Sequence, residues 1–113
     1  MPHNKDNEWL RTVATGVHLL KAVGVDEIGF SKLEVLKVIT ACEYSGKAIL
    51  GGDIWRQDTD GKIISDGSNW YINRFKSESA GEYVRRSCAI SRAYVEQLPD
   101  ADEGRYLYTV TLQ

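Results

Sequence analysis

Carboxylates are concentrated in the middle of the chain, at Asp53, Asp58, Asp60 and Asp66. Two carboxylates held close together can serve as the acid and the base of a hydrolytic reaction. A covalent mechanism would instead need a nucleophile, and no Ser, Cys or His stands beside Asp53 in the sequence. Because a charge-rich hairpin is a commoner reason for such a run than catalysis, we expect no enzyme activity.

The same region invites comparison with a calcium loop, in which carboxylates alternate around a glycine. When Gly61 is aligned with that glycine, Arg56 occupies the first ligand position and Gly67 the position of the closing glutamate. Neither residue can supply the ligand that its position requires. We therefore interpret Asp58 and Asp60 as parts of a solvated hairpin turn.

Other metal and phosphate motifs are also incomplete. Cys42, Cys88, His3 and His18 are isolated from one another, whereas a zinc site needs closely spaced pairs. The Gly51–Asp53 stretch lacks the Lys and the Ser or Thr that follow a phosphate-binding loop. We expect buried structural cysteines, no metal and no cofactor.

Aromatic and acidic side chains are better candidates for function. Trp55 and Tyr71 fall on the same face of a predicted sheet, provided that no bulge shifts the register. Exposed aromatic residues often anchor protein contacts, and acidic loops can steer a basic partner towards its site. The alternatives are that the aromatic rings pack beneath a helix and that the charges are merely solvated. The predicted partner-binding residues are Trp55, Tyr71, Asp58, Asp60 and Asp66.

Three helices and four strands are predicted to position these residues. Helical periodicity covers Asn7–Ala22, with Gly24 as the stop. The other two helices each begin at a Ser with a Glu three residues later, a capping-box pattern. They run from Ser31 to Gly46 and from Ser79 to about Gln97.

The predicted strands form an antiparallel meander because the segments between them are too short for helical crossovers. Asp–Gly turns are expected at residues 58–62 and 66–68. The element order ααβββαβ predicts an α+β fold, with helices packed on one face of a four-stranded antiparallel sheet. The four strands are Ala48–Arg56, Lys62–Ser65, Asn69–Phe75 and Arg105–Leu112.

Length and charge narrow the classes of function. The 113 residues suit a single domain, 1–113. A net charge of −2, from 14 basic and 16 acidic residues, argues against nucleic acid as a partner. No apolar run reaches the ~20 residues of a membrane span, and the polar start of the chain is unlike a signal peptide. We therefore expect a cytoplasmic protein, of undetermined oligomeric state.

Four short segments carry a resemblance to a known family. They read ILGGDIW at Ile49–Trp55, GK at Gly61-Lys62, NWY at Asn69–Tyr71 and YVRRS at Tyr83–Ser87. Together, over about Leu36–Leu112, they resemble immunity protein 40 of bacterial polymorphic toxin systems. The resemblance implies a protein that binds and neutralises a cognate toxin inside the cell that produces it, and the acidic loops predict a basic surface on that toxin.

The resemblance also implies structural roles for the shared residues. Gly51 and Gly52 would form a bulge, Asp53 and Asn69 would bond to backbone groups, and Trp70 would lie in the core. Two alternatives remain open. One is a small ligand-binding domain or enzyme with a pocket around Asp53 and the tryptophans, and the other is a structural adaptor with no toxin involved.

Overall fold

The computed structural model describes residues 4–113, with side chains from Asp6 onward. Helices and strands are mixed along this part of the chain, and the strand pairs are antiparallel, as the sequence predicted. The elements are α1 (Asn4–Val13), β1 (Val17–His18), α2 (Leu20–Val23), β2 (Ile28–Gly29), α3 (Lys32–Ser45), β3 (Ile49–Gln57), β4 (Ile63–Tyr71), α4 (Ala80–Gln97) and β5 (Arg105–Leu112).

The predicted four-stranded sheet is wrong. The main sheet has three strands in the order β4-β3-β5, and β1 and β2 form a separate two-stranded sheet. The two strands predicted at Lys62–Ser65 and Asn69–Phe75 are a single strand, β4. The three residues 66–68 bulge out of it opposite Ile54.

The chain bulges at Asp66-Gly67-Ser68 instead of reversing. Gly67 has a φ of 83°, and its N–H donates to Ser65 Oγ. An Asp–Gly pair signals a left-handed backbone position, which a bulge can use as readily as a hairpin turn. The sequence signal was therefore real, but its interpretation as a chain reversal was wrong.

The first predicted helix, Asn7–Ala22, is also wrong, as is the three-helix order. Helix α1 ends at Val13, and the chain then forms β1 and the single-turn helix α2. A side chain on Gly16 would lie 2.8 Å from the Phe30 ring, so the chain passes closely over the segment that follows β2. Tertiary packing thus interrupts a helical periodicity that continues in the sequence. Gly24 ends α2, as predicted, with a φ of 75°.

The other helices begin where their capping residues predict. Ser31 Oγ accepts the Glu34 N–H at the start of α3, although the Glu34 carboxylate bonds to the Thr15 N–H instead of completing the box. At α4, Ser79 and Glu82 form both bonds of the capping box. These two caps set the start of the helices that cover the sheet.

Helices α3 and α4 pack on one face of the main sheet. The core there contains Val38, Ile39 and Cys42 of α3, Tyr83, Cys88 and Val95 of α4, and Ile54, Trp70, Tyr108 and Val110 of the sheet. Both cysteines are buried and free. On the opposite face a smaller cluster joins Leu19, Ile63 and Leu107, with Trp55 packed against it. That second face is therefore covered only at one end.

Candidate partner-binding face

Two of the four sequence segments that carry the family resemblance lie side by side. In the β3–β4 ladder, Gly51 is opposite Tyr71, Gly52 opposite Trp70, and Asp53 opposite Asn69. The GGD and NWY motifs are thus the two halves of one cross-strand unit. Side chains of successive residues point to opposite faces, so Trp70 points to the helices, and Asp53, Asn69 and Tyr71 point away from them.

Trp70 occupies the core, as the resemblance implied. Its Nε1 donates to Ser91 Oγ at 3.0 Å, and its ring stacks on Tyr94 with centroids 5.0 Å apart. Gly52 makes room for this ring, since a methyl group there would lie 2.8 Å from Trp70 Cζ2 and closer still to the Thr109 carbonyl oxygen. The role of Gly52 is therefore close packing. The register shift in this region lies between Ile49 and Gly51, in the β3–β5 pair.

Asp53 and Asn69 do not have the backbone-bonding role that the resemblance implied. Both side chains are exposed, and neither forms a hydrogen bond with residues 6–113. Asp53 uses only its backbone, whose N–H donates to the Thr109 hydroxyl. Both side chains remain available to a partner.

A shallow hollow lies over Gly51, which has no side chain to fill the space between Thr111 and Tyr71. Its volume is about 180 Å³. Typical small-molecule sites enclose several hundred Å³. Trp55 does not line the hollow, and the Trp70 ring points to the helices, so the tryptophans do not surround a common pocket. The lining residues are Leu50, Gly51, Gly52, Asp53, Asn69, Trp70, Tyr71 and Thr111.

The predicted aromatic pair lies on one sheet face, but its two members differ in exposure. The bulge places three residues of β4 opposite one of β3, so it adds an even number of residues and preserves the alternation of faces. Tyr71 is 71% exposed. Trp55 is half-buried against Leu19 and Leu107, with its Nε1 enclosed and without an acceptor among the described residues. Tyr71 is therefore the better contact candidate.

Two of the three predicted aspartates lie at the other end of β3 from Tyr71, and the third lies opposite the middle of β3. Asp58 and Asp60 are in the β3–β4 turn, where Asp58 pairs with Arg56 at 3.5 Å and Asp60 accepts the Lys62 N–H. Asp66 is exposed in the bulge of β4. Since β3 rises about 3.3 Å per residue, roughly 20 Å separates the turn from the hollow. The structure does not bring the five predicted residues into one patch.

Sequence analysis missed Glu27, which precedes β2. Burial raises the pKa of this half-buried carboxyl, and the nearby Asp53 carboxylate raises it further. No described side chain forms an ion pair with either residue, although several pairs occur elsewhere. Nothing local in the sequence marks Glu27, because its neighbour is distant along the chain and is brought close by the β1–β2 segment.

The part of the chain that the structure describes contains no cluster of metal-ligating side chains. No three His, Cys, Asp or Glu side chains from residues 4–113 are placed to hold a metal ion. None of the described helices combines the length and apolar character needed to cross a membrane.

The fold is that of a small α+β protein. The sheet face opposite the helices is covered only at one end, and its uncovered half presents polar and aromatic side chains. A family model, immunity protein 40, matches residues 19–112, and the chain belongs to that family. The match confirms the resemblance and extends it to Leu19, so that it includes Glu27. Comparison with curated proteins and with solved structures gave no match.

Proposed function

We propose that this protein binds a cognate toxin domain and neutralises it in the cytoplasm of the bacterium that makes both. Membership of the immunity protein 40 family supports this function. The observation that carries it is the uncovered half of the sheet face, where the exposed Tyr71 lies near Asp53, whose carboxylate forms no ion pair with a described side chain. A free protein gains nothing from an arrangement of this kind, whereas a complementary partner would satisfy it.

The contact surface extends from the hollow to the β3–β4 turn. Tyr71 acts as the aromatic anchor, because a rigid exposed ring buries a large area at a small cost in entropy. Asp58, Asp60 and Asp66 act at longer range by attracting a basic surface during the encounter. Trp55 contributes mainly indirectly, because it packs against Leu107 and so stabilises this face of the sheet.

Neutralisation works by obstruction. The bound protein covers the toxin's active site or the path of its substrate, and needs neither a cofactor nor a reaction of its own. The partner is a protein with a basic surface, and neither nucleic acid nor a membrane takes part.

The binding function is tested with the C-terminal domain encoded by the gene adjacent to this one. Surface plasmon resonance would measure its association with the purified wild-type chain and with the Asp58→Lys/Asp60→Lys variant. We expect the variant to associate at least about tenfold more slowly, with a weaker dependence on salt.

The matched control is Glu8→Lys/Glu96→Lys, which makes the same charge change at two exposed positions on α1 and α4. It should associate at nearly the wild-type rate. If the turn variant also associates at the wild-type rate, the β3–β4 turn is not part of the steering surface. If the wild-type chain does not bind the domain at all, the proposed function is wrong.

A further inference from the structure

The uncovered half of the sheet face has the features of a receptor for one basic side chain. We propose that the hollow over Gly51 receives an arginine side chain of the toxin domain, which pairs with Asp53 and packs against the Tyr71 ring. This proposal rests on the function proposed above and names the chemistry of its closest contact.

The shape of the hollow follows from the sheet register. Across the three strands, one row contains Thr111, Gly51 and Tyr71, and the next contains Thr109, Asp53 and Asn69. Because the middle residue of the first row is a glycine, the floor is backbone and the walls are the side chains around it. The volume of about 180 Å³ is enough for one long side chain.

Gly51 cannot be replaced without loss of this shape. A methyl group at this position would lie 3.1 Å from the Tyr71 Cα and closer still to the carbonyl oxygen of Trp70. The pairing of β3 with β4 therefore keeps the floor of the hollow free of a side chain.

The hollow has a negatively charged edge. Asp53 stands at its edge, and Glu27 lies near enough for the Asp53 charge to add to the effect of burial on the Glu27 pKa. No described cation pairs with either carboxylate. A positive group that enters from a partner would relieve the repulsion between the two carboxylates and gain an ion pair sheltered from solvent.

The polar groups around the hollow match a guanidinium group. The Asp53 carboxylate and the Asn69 amide oxygen are acceptors in adjacent positions, and the Tyr71 ring offers a face for stacking. Arginine presents several N–H donors in a plane and stacks on aromatic rings, whereas lysine is a point charge with a tightly held water shell. Two carboxylates also supply too few ligands for calcium, which takes six to eight oxygen atoms.

The test measures dissociation of the toxin domain from the Asp53→Asn variant, with Glu96→Gln on α4 as the control. Both substitutions remove one exposed carboxylate without changing its size. We expect Asp53→Asn to dissociate about tenfold or more faster, with nearly unchanged association, because a sheltered pair governs the lifetime of a complex. The toxin domain should dissociate from Glu96→Gln within about twofold of the wild-type rate. Tyr71→Ala should resemble Asp53→Asn.

The outcomes separate the two proposals. If the wild-type chain binds the domain but Asp53→Asn and Tyr71→Ala dissociate at its rate, the arginine receptor is wrong and the proposed function stands. Loss of fold would not explain a faster dissociation from Asp53→Asn. Removal of the Asp53 charge removes its repulsion of the Glu27 carboxylate, so the urea midpoint of the variant should be unchanged or higher.

A capped Gly-Arg-Gly peptide tests the hollow without the toxin. In ¹⁵N-labelled protein, the peptide should shift the amide signals of Gly51, Asp53 and Asn69, and a citrulline peptide of the same length should not. Shifts that are equal for the two peptides, or that are confined to the β3–β4 turn, would overturn the proposal. A lysine peptide that shifts these signals as strongly as the arginine peptide would also overturn the choice of arginine.

Discussion

Substitution of Gly52 by alanine tests whether the GGD and NWY motifs are a packing unit. The added methyl group would lie 2.8 Å from Trp70 Cζ2 and closer still to the Thr109 carbonyl oxygen. The Trp70 ring cannot withdraw freely, because it is stacked on Tyr94 and bonded to Ser91. The central strand must therefore shift against β5, or the ring must leave its place.

Overpacking of this kind costs about 3 kcal/mol in the free energy of unfolding. For a chain of this length, such a loss corresponds to a melting temperature lower by roughly 10 °C. Urea titration followed by tryptophan fluorescence measures the loss and also reports a change in the surroundings of Trp70.

The matched control is Gly81→Ala, in the first turn of α4. The nearest atom to the added methyl group is Arg85 Nη1, at 3.6 Å, and alanine is the better helix former by up to about 1 kcal/mol. The control should be as stable as the wild type or more stable. If Gly52→Ala unfolds within about 0.5 kcal/mol of the wild type, close packing is not the reason for glycine at this position.

Three further predictions concern individual side chains. Arg86 hydrogen-bonds to Glu78 and holds the pKa of that carboxyl at about 2. Ionised Glu78 therefore stabilises the fold at neutral pH, and this contribution is lost as the pH falls from 4.5 towards 2. Melting curves between pH 2 and 6 should show a flatter dependence for Glu78→Gln, and an unchanged slope would contradict this. Tyr83→Phe removes the hydroxyl that donates to the buried Ile72 carbonyl at 2.6 Å. The substitution should lower the free energy of unfolding, measured with urea, by about 1–3 kcal/mol. A loss below about 0.5 kcal/mol would show the bond to be unimportant. The pKa of Glu27 is raised in the folded state, so its ionisation weakens the fold as the pH rises through that pKa. Glu27→Gln should therefore be more stable than the wild type at pH 7, by roughly a few tenths of a kcal/mol because the group is half-exposed. The two proteins should be equally stable below about pH 4. Equal melting temperatures at pH 7 would contradict that assignment.

Sequence analysis succeeded where the signal is local. Ser31 and Ser79 locate the starts of α3 and α4, because a cap depends on a hydrogen bond to an N–H three residues away. Burial along α4 recurs at the helical spacing of three to four residues, at Tyr83, Ser87 and Ser91 among others, which is a local signal as well.

The errors arise where distant contacts decide the structure. Nothing near Gly16 reveals that it passes close to Phe30, and an Asp–Gly pair does not indicate whether its neighbours continue as one strand. The pairing of Asp53 with Asn69 and the approach of Glu27 likewise depend on tertiary structure. The single-domain organisation of residues 1–113 and the five predicted contact residues stay predictions.

The most direct test of the central claim is rescue from the toxin. The C-terminal domain encoded by the adjacent gene is expressed in a bacterial host, with or without this chain, and surviving colonies are counted. We predict that the domain alone prevents growth, that the wild-type chain and Glu8→Lys/Glu96→Lys restore it, and that a variant combining Asp53→Lys with Tyr71→Ala does not. If the domain prevents growth and the folded wild-type chain neither binds it nor restores growth, this protein does not neutralise that toxin and the account is wrong.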